Sequence, residues 1–210
     1  MRTILVTGFE PFGGETVNAS WEAARRLDGW RGPECVLVAR MLPCVYDACV
    51  GDLIEAFERA RADALIMTGQ AARRGVVCVE RFAHNAANPT TPDNCGVIRP
   101  KPLAGHPERL ETAAPAAAVA RAIRAAGVPA RLSTNAGDYV CNHLYYGALR
   151  HFAAAAPGTP AIFVHLPATP EQTPPRASRA RLATADAARA LQAAADALFK
   201  PLSRPGQGPR

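Results

Sequence analysis

Short apolar runs alternate along the chain with segments whose apolar residues recur every three to four positions. The apolar runs predict buried strands at residues 3–8, 35–42, 62–69, 75–85, 130–135 and 160–168. The helical spacings predict helices at residues 18–27, 45–61, 113–127, 141–155 and 184–200. Strands that alternate with helices indicate an α/β fold, in which a mostly parallel twisted sheet carries helices on both faces.

The same pattern indicates one domain. No internal repeat and no linker divides the chain, so we expect a single α/β domain over residues 1–200 and a flexible tail over residues 201–210. Residues 86–110 are rich in proline, asparagine and glycine and show no regular period. Irregular segments of this length in a compact domain usually carry function or are disordered.

Two of the helices allow more specific predictions. Asn18 or Ser20 is expected to cap the first helix, because a short polar side chain can accept a bond from a free N–H of the first turn. The second helix is expected to bury Val50, Ile54 and Phe57 along one face.

Composition and charge exclude several classes of function. Hydrophobic residues make up 49% of the 210 residues, which is enough for a packed core. The net charge is +6, but no aromatic residues alternate with the dispersed arginines, so we expect no nucleic-acid partner. No stretch approaches the roughly 20 apolar residues of a membrane span, so we expect no membrane partner.

The six cysteines indicate neither a metal site nor a disulfide framework. They contain no CxxC pair, and their spacings match no zinc ribbon or finger. The N-terminus lacks the layout of a signal peptide. We therefore expect free thiols in a reducing cytoplasm, with no metal and no cofactor.

Three side chains that together can hydrolyse an amide lie at or near the ends of predicted strands. Glu80 lies in the strand–loop VCVERFAHN, Cys141 lies at a strand-to-helix turn, and His165 ends the run AIFVH. A cysteine at a helix N-terminus is expected to have a lowered pKa, because the helix dipole favours the thiolate. A histidine can exchange the proton, and a carboxylate can orient the histidine.

Each of these residues also has a purely structural interpretation. Cys141 can be a small core residue, His165 a hydrogen-bonded core histidine, and Glu80 a surface partner of Arg81. His143 competes with His165 as the base, although two positions along a helix do not face each other. The residue types alone leave these alternatives open.

A series of motifs resembles the pyroglutamyl peptidase I family, also called pyrrolidone-carboxylate peptidases. Residues 5–23, LVTGFEPFGGETVNASWEA, are similar to the opening of that family. The family's order and spacing continue in GQA (69–71), Glu80-Arg81, Asn85, PDN (92–94), VCNH (140–143) and H-x-P-x-x-P-E-Q (165–172). The resemblance covers residues 1 to 172 and, more loosely, the final helix.

The resemblance implies a nucleoside-phosphorylase-like fold and a cysteine exopeptidase that removes N-terminal pyroglutamate from peptides. By position, it implies Cys141 as the nucleophile, His165 as the base and acid, and Glu80 as the orienting carboxylate. It further implies a homo-oligomer, either a dimer or a tetramer. A divergent amidohydrolase on a related small acyl substrate remains the alternative, as does a catalytically weak oligomeric binding protein that keeps the pocket.

The resemblance also assigns residues to substrate binding. Phe9 and Phe12 would wall the lactam ring, with Val140 near it, and Gln70 and Asn18 match polar positions of the family's site. An apolar slot with a few directed polar groups is what a small lactam requires.

The chain departs from the family pattern in several places. Ala72 and Arg73 replace two glycines, which would strain Arg73 if its position needs a positive φ. Thr90 stands where the family usually has an arginine near the active site. Other departures are Asp138, Tyr139, Ala168 and Thr169. These changes put the rate and the substrate preference in question and leave the three catalytic candidates in place.

Overall fold

The computed structural model describes residues 1–88, 90–99, 102–170, 172 and 181–199. The strands are β1 (Arg2–Phe9), β2 (Cys35–Leu42), β3 (Ala64–Gln70), β4 (Val77–Glu80), β5 (Phe82–His84), β6 (Arg109–Glu111), β7 (Ala130–Ser133) and β8 (Ala161–Leu166). The helices are α1 (Ala19–Ala24), α2 (Ala48–Ala60), α3 (Ala116–Ala125), α4 (Val140–Ala155) and α5 (Thr184–Leu198). The predicted tail over residues 201–210 lies outside the described residues.

One twisted sheet organises the molecule. Its strand order is β2-β1-β3-β8-β4-β7, and β5 pairs with β6 in a separate two-stranded sheet. All pairs in the large sheet are parallel except β4 with β8, which is antiparallel. Helices α1, α3 and α5 pack into the core on one face, and α2 and α4 pack on the other. The predicted α/β class, with a mostly parallel sheet and helices on both faces, is confirmed.

The first helix shows how local sequence sets the start of an element. Asn18 takes extended backbone angles, and its side chain accepts a hydrogen bond of 3.0 Å from the Ser20 N–H, so Asn18 is the cap and Ser20 is not. Helix α1 packs closely on β1 at Gly8, where a Cβ atom would lie 2.5 Å from the Trp21 backbone. Only glycine fits there, and this contact fixes the loop between β1 and α1.

Two predicted elements need correction. The strand predicted at 75–85 is two strands, β4 and β5, which lie in different sheets. The break falls at Arg81, whose N–H bonds to Ser133 O in the large sheet while its carbonyl accepts from Thr112 N. The N–H and the carbonyl of Arg81 thus bond to different strands. The alternation of apolar and polar side chains along the sequence does not reveal this change of partner.

Helix α2 begins three residues later than predicted. Residues 45–47 form a turn in which Asp47 has a φ of +59°, and the helix starts at Ala48. Its most buried face is centred on Cys49 and Leu53, whereas the predicted Val50, Ile54 and Phe57 are only partly buried. The predicted stripe lies at the edge of the buried face.

Candidate active site

His165 and Glu80 meet inside the sheet. The antiparallel register of β4 and β8 pairs Cys78 with His165 and Glu80 with Phe163, so the two side chains project from the same face. His165 Nδ1 lies 2.9 Å from Glu80 Oε1, with 5% and 0% of the side chains exposed. Arg81 pairs with Glu111 instead. Glu80 is therefore a buried partner of the histidine and not half of a surface ion pair.

Arg74 completes this buried cluster. Its Nη1 lies 2.5 Å from the same Glu80 oxygen that faces His165, and its Nη2 donates to Asn135 O over 2.7 Å. The second Glu80 oxygen has no hydrogen-bond partner among the described residues. The guanidinium balances the buried carboxylate and ties it to the segment that leads into α4.

Cys141 is the second residue of α4 and lies beside the strand that carries His165. A Cβ atom at Gly69 would lie 2.7 Å from Cys141 Sγ, and Gly69 pairs with His165 in the register of β3 and β8. Glycine at position 69 therefore leaves the space that the sulfur occupies. Cys141 and His165 line the same pocket. The structure thus brings the three predicted catalytic residues together.

Protonation at the site differs from the sequence expectation. Burial raises the pKa of Cys141 above its ordinary value, and Arg74 and the Cys141 N–H oppose this only in part. The expected lowering of this pKa is therefore wrong in direction, because desolvation of the buried thiol is the largest influence on it. Burial also lowers the pKa of His165, with Glu80 opposing. Near neutral pH the pair rests as a thiol and a neutral imidazole.

His143 has a different partner. Its Nε2 lies 2.9 Å from Asp47 Oδ1, and Asp47 also pairs with Arg99 over 2.6 Å. This cluster connects the turn before α2 with the irregular segment that contains Arg99. His143 is therefore paired with Asp47, which leaves His165 as the histidine that lines the same pocket as the thiol.

The pocket at Cys141 has a volume of about 460 Å³. Three of the five predicted binding residues line it, namely Phe9, Phe12 and Gln70. Further lining residues are Cys44, Ala71, Ala72, Arg73, Arg74, Asn88, Thr91, Ala136, Gly137, Asp138 and Tyr139. Gln70 uses its side-chain oxygen to accept from Ala19 N and Gln172 Nε2, so a structural network holds this side chain at the pocket wall.

Asn18 and Val140 are not among the residues that line the pocket, so their predicted part in substrate binding stays a prediction. Asn18 is 2% exposed; it caps α1, and its Nδ2 donates to Glu10 O. Val140 is fully buried in the core beneath α4. Both residues pack behind the residues that line the pocket. The position of a residue in a sequence motif does not tell whether it packs there or contacts the substrate.

Tyr139 is a wall residue that the sequence marked only as a departure from the family. Its ring lies 6.1 Å from Phe12 and 5.9 Å from Tyr46, measured between centroids, and its hydroxyl donates to Pro92 O. These contacts join the loop after β1 to the segment around residue 92. The aromatic wall is therefore built from three separate parts of the chain.

The wall leads to a prediction for Phe12. Replacing Phe12 with alanine removes an aromatic face from the pocket, and we expect kcat/KM for a pyroglutamyl amide to fall about tenfold, equivalent to about 1.4 kcal/mol. Phe12→Leu keeps most of the apolar contact and should lose much less. Steady-state kinetics on the two variants makes the comparison, and an unchanged kcat/KM for Phe12→Ala contradicts a role for this ring.

The departures from the family pattern are accommodated without backbone strain. Among the described residues, only Asp47 and Arg61 combine a side chain with a positive φ, so neither Ala72 nor Arg73 does. Thr90 is exposed and bonds to Asn88 Oδ1, and its neighbours Asn88 and Thr91 line the pocket while Thr90 does not. Thr90 therefore brings no charge to this part of the wall.

The described residues offer neither a metal site nor a membrane span. The described residues hold no group of three or more histidine, cysteine, aspartate or glutamate side chains arranged to bind a metal ion. Across the same ranges, no helix is both long enough and apolar enough to cross a bilayer.

An α/β sheet that carries a cysteine, a histidine and a carboxylate around one pocket has the features of a cysteine-type hydrolase. The family model for pyroglutamyl peptidase matches residues 2–200. The chain belongs to the pyroglutamyl peptidase family, whose members are cysteine-type peptidases. The family and the enzyme class predicted from the sequence are thereby confirmed.

Individual relatives agree with this membership. The chain is 41% identical to the pyrrolidone-carboxylate peptidase of Cupriavidus necator, over 92% of this chain and 91% of that protein. Its fold matches the crystal structure of pyroglutamyl peptidase I from Bacillus amyloliquefaciens with a TM-score of 0.90 and 36% identity, covering 94% of this chain and 97% of that one. A mutant pyrrolidone carboxyl peptidase from Pyrococcus furiosus matches with a TM-score of 0.87 and 29% identity, covering 94% and 98%.

Proposed function

We propose that the protein removes N-terminal pyroglutamate from peptides through a Cys141–His165–Glu80 triad. The observation that carries this proposal is the buried hydrogen bond between His165 and Glu80, together with a free thiol in the same pocket. The names of the related proteins supply the substrate class, pyroglutamyl peptides.

The protonation of the pair defines the first chemical step. Because Glu80 accepts the bond from Nδ1, that nitrogen carries the ring proton and Nε2 is free to act as the base. The thiol proton moves to Nε2 as the sulfur attacks the pyroglutamyl carbonyl carbon. Because burial raises the pKa of the Cys141 thiol, we assign the proton transfer to the same step as the attack.

The start of α4 supplies the electrostatic part of the mechanism. Tyr139 provides no side-chain cap, so the N–H groups of the first turn, including that of Cys141, have no intrahelical partner. Among them, the Cys141 N–H interacts with the Cys141 sulfur and can donate to the oxyanion of the tetrahedral intermediate. The imidazolium of His165 then protonates the leaving amine, and a thioester with Cys141 remains. Water attacks that thioester, His165 takes its proton, and pyroglutamate is released.

The aromatic wall fits the lactam ring. Phe9 and Phe12 offer apolar faces, and Asn88, Thr91 and Gln70 add polar groups at the same pocket. A five-membered lactam needs this combination of apolar surface and a few hydrogen-bonding groups.

Turnover of a pyroglutamyl-coumarin amide by the purified protein tests the proposal. Release of the fluorophore supports a pyroglutamyl peptidase. Absence of release together with measurable binding of pyroglutamate would indicate a binding protein, and turnover of other small acyl amides alone would indicate a different amidohydrolase.

We further propose a cytoplasmic, homo-oligomeric enzyme, either a dimer or a tetramer, on the basis of the family resemblance. Light scattering after size-exclusion chromatography measures the assembly, and a monomer at micromolar concentration would contradict it.

Thr90 is expected to limit the rate. A cation near the developing oxyanion stabilises the transition state more than the ground state, and the segment around Thr90 lacks the usual arginine. We expect Thr90→Arg to raise kcat on the pyroglutamyl amide by roughly tenfold with little change in KM. Thr90→Gln, similar in length but uncharged, is the control. If Thr90→Arg has no effect while Arg73→Ala lowers kcat sharply, the charge comes from Arg73 instead.

A further inference from the structure

A second pocket, with a volume of about 380 Å³, opens beside the candidate active site. It shares Arg74 and Gly137 with the active-site pocket, so the two pockets adjoin at these residues. The other lining residues belong to β7 and the segment that follows it, namely Arg131, Leu132, Ser133, Thr134 and Asn135. A substrate held at Cys141 therefore has this second pocket next to its own.

The sheet register places Arg131 on the same face as His165. Cys78 pairs with His165 on one side and with Arg131 on the other. Paired residues in adjacent strands project to the same face, and adjacent strands lie about 4.8 Å apart, so the two Cα atoms are roughly 10 Å apart. The contact of 3.3 Å between Arg131 Nε and Cys78 Sγ agrees with this orientation.

The second pocket carries positive charge that no carboxylate in its lining balances. No aspartate or glutamate is among the described residues that line it. Arg74 is already paired with Glu80. Arg131 is exposed, and within the described ranges its Nη atoms have no hydrogen-bond or ion-pair partner. Its terminal guanidinium N–H groups are thus available to an anion.

We propose that this second pocket binds a carboxylate of the leaving peptide, that of a free C-terminus, and that Arg131 supplies the charge. The inference rests on the proposed function. An extended peptide advances about 3.3–3.6 Å per residue, so a carboxylate two to three residues beyond the scissile bond lies roughly 7–10 Å from it. The favoured substrates are therefore short pyroglutamyl peptides with a free C-terminus.

The experiment compares a pyroglutamyl tripeptide acid with the same tripeptide as its C-terminal amide. We expect the wild-type protein to favour the acid about three- to fivefold in kcat/KM, mainly through KM, and Arg131→Gln to bring the ratio close to one. Raising the ionic strength from about 0.05 to about 0.5 M should reduce the wild-type preference, because salt screens an exposed pair. Arg131→Lys retains the charge and should retain the preference.

A matched control uses Arg121, an exposed arginine of α3 on the opposite face of the sheet. Arg121→Gln removes the same charge and should keep the wild-type ratio. Equal kcat/KM for acid and amide in the wild-type protein overturns the inference, as does a preference that survives Arg131→Gln. Loss of the preference in Arg73→Ala but not in Arg131→Gln also overturns it.

The coumarin amide, which has no carboxylate, separates this inference from the proposed function. Turnover of that amide without any preference between acid and amide overturns only the role of the second pocket. Absence of turnover on every pyroglutamyl substrate overturns the proposed function itself.

Discussion

Cys141→Ala should abolish turnover of pyroglutamyl amides and leave the fold intact. The sulfur is the only nucleophile in the proposed mechanism, and the acyl-enzyme cannot form without it. Removal of a catalytic nucleophile in a triad typically lowers kcat by about 10⁶-fold, which here means activity below detection. Alanine at position 141 only removes the sulfur that lies over Gly69 and adds no atom, so it is not expected to disturb the packing.

Kinetics and circular dichroism on purified variants provide the measurement. Cys95 is the exposed thiol among the six cysteines, and Cys95→Ala should retain full activity. Cys141→Ser keeps the shape but replaces the sulfur with a far weaker nucleophile, so it should also be inactive. Wild-type activity in Cys141→Ala would rule out the proposed mechanism.

Alkylation adds a check on the protonation state. Because burial raises the pKa of Cys141, its reaction with iodoacetamide should accelerate steadily as the pH increases through the neutral range. Mass spectrometry can follow the site against the exposed Cys95. Inactivation should track modification of Cys141 and not that of Cys95.

Much of the fold could be predicted because its signals are local. The strands β1, β2, β3 and β8 coincide with apolar runs in the sequence. Parallel strands that are covered on both faces are rich in hydrophobic residues, so such runs predict them. Asn18 was a correct cap candidate because capping depends on a few neighbouring residues. The division of residues 75–85 into β4 and β5 was missed, because it depends on distant partners at Thr112 and Ser133.

The candidate active site could also be predicted only in part. Residue type and position at strand ends were enough to select Glu80, Cys141 and His165, and the tertiary structure brings them together. Their pairing depends on β4 lying antiparallel beside β8, which no sequence period reveals. The direction of the Cys141 pKa shift was wrong for a related reason, because desolvation depends on everything packed around the thiol.

Arg74 and Asn18 illustrate the same limit at single residues. Arg74 reaches Glu80 from the turn after β3, and no sequence spacing reveals that contact. Asn18 matched a polar position of the family's site, but its side chain forms hydrogen bonds with Ser20 and Glu10. Which polar residue faces a pocket is decided by hydrogen bonds that distant segments complete.

Glu80→Gln should reduce kcat by at least about 100-fold, equivalent to about 2.7 kcal/mol, with little change in KM. The variant keeps the volume of the side chain and can still accept a bond from His165 Nδ1, so the imidazole orientation is largely preserved. What is lost is the negative charge that stabilises the imidazolium formed when Cys141 attacks. The Arg74 guanidinium also loses its counter-charge and then lies beside that imidazolium.

The pH profile distinguishes this electrostatic role from a structural one. In the wild-type protein Glu80 raises the pKa of His165, while burial and Arg74 lower it. Removing the carboxylate leaves only the lowering influences, so the acid limb of kcat/KM should move to lower pH in Glu80→Gln. Removing the guanidinium in Arg74→Gln takes away a lowering influence, so the same limb should move to higher pH.

The matched control is Glu111→Gln, which removes the surface carboxylate that pairs with Arg81. It should leave both the rate and the acid limb unchanged, because an exposed pair contributes little and lies outside the cluster. The double variant Glu80→Gln/Arg74→Gln should recover part of the rate lost in Glu80→Gln, since the uncompensated cation is gone. The role of the carboxylate is contradicted if Glu80→Gln keeps kcat within threefold of the wild-type value and its acid limb does not shift. In that case the carboxylate does not stabilise the imidazolium, and His165 acts without it.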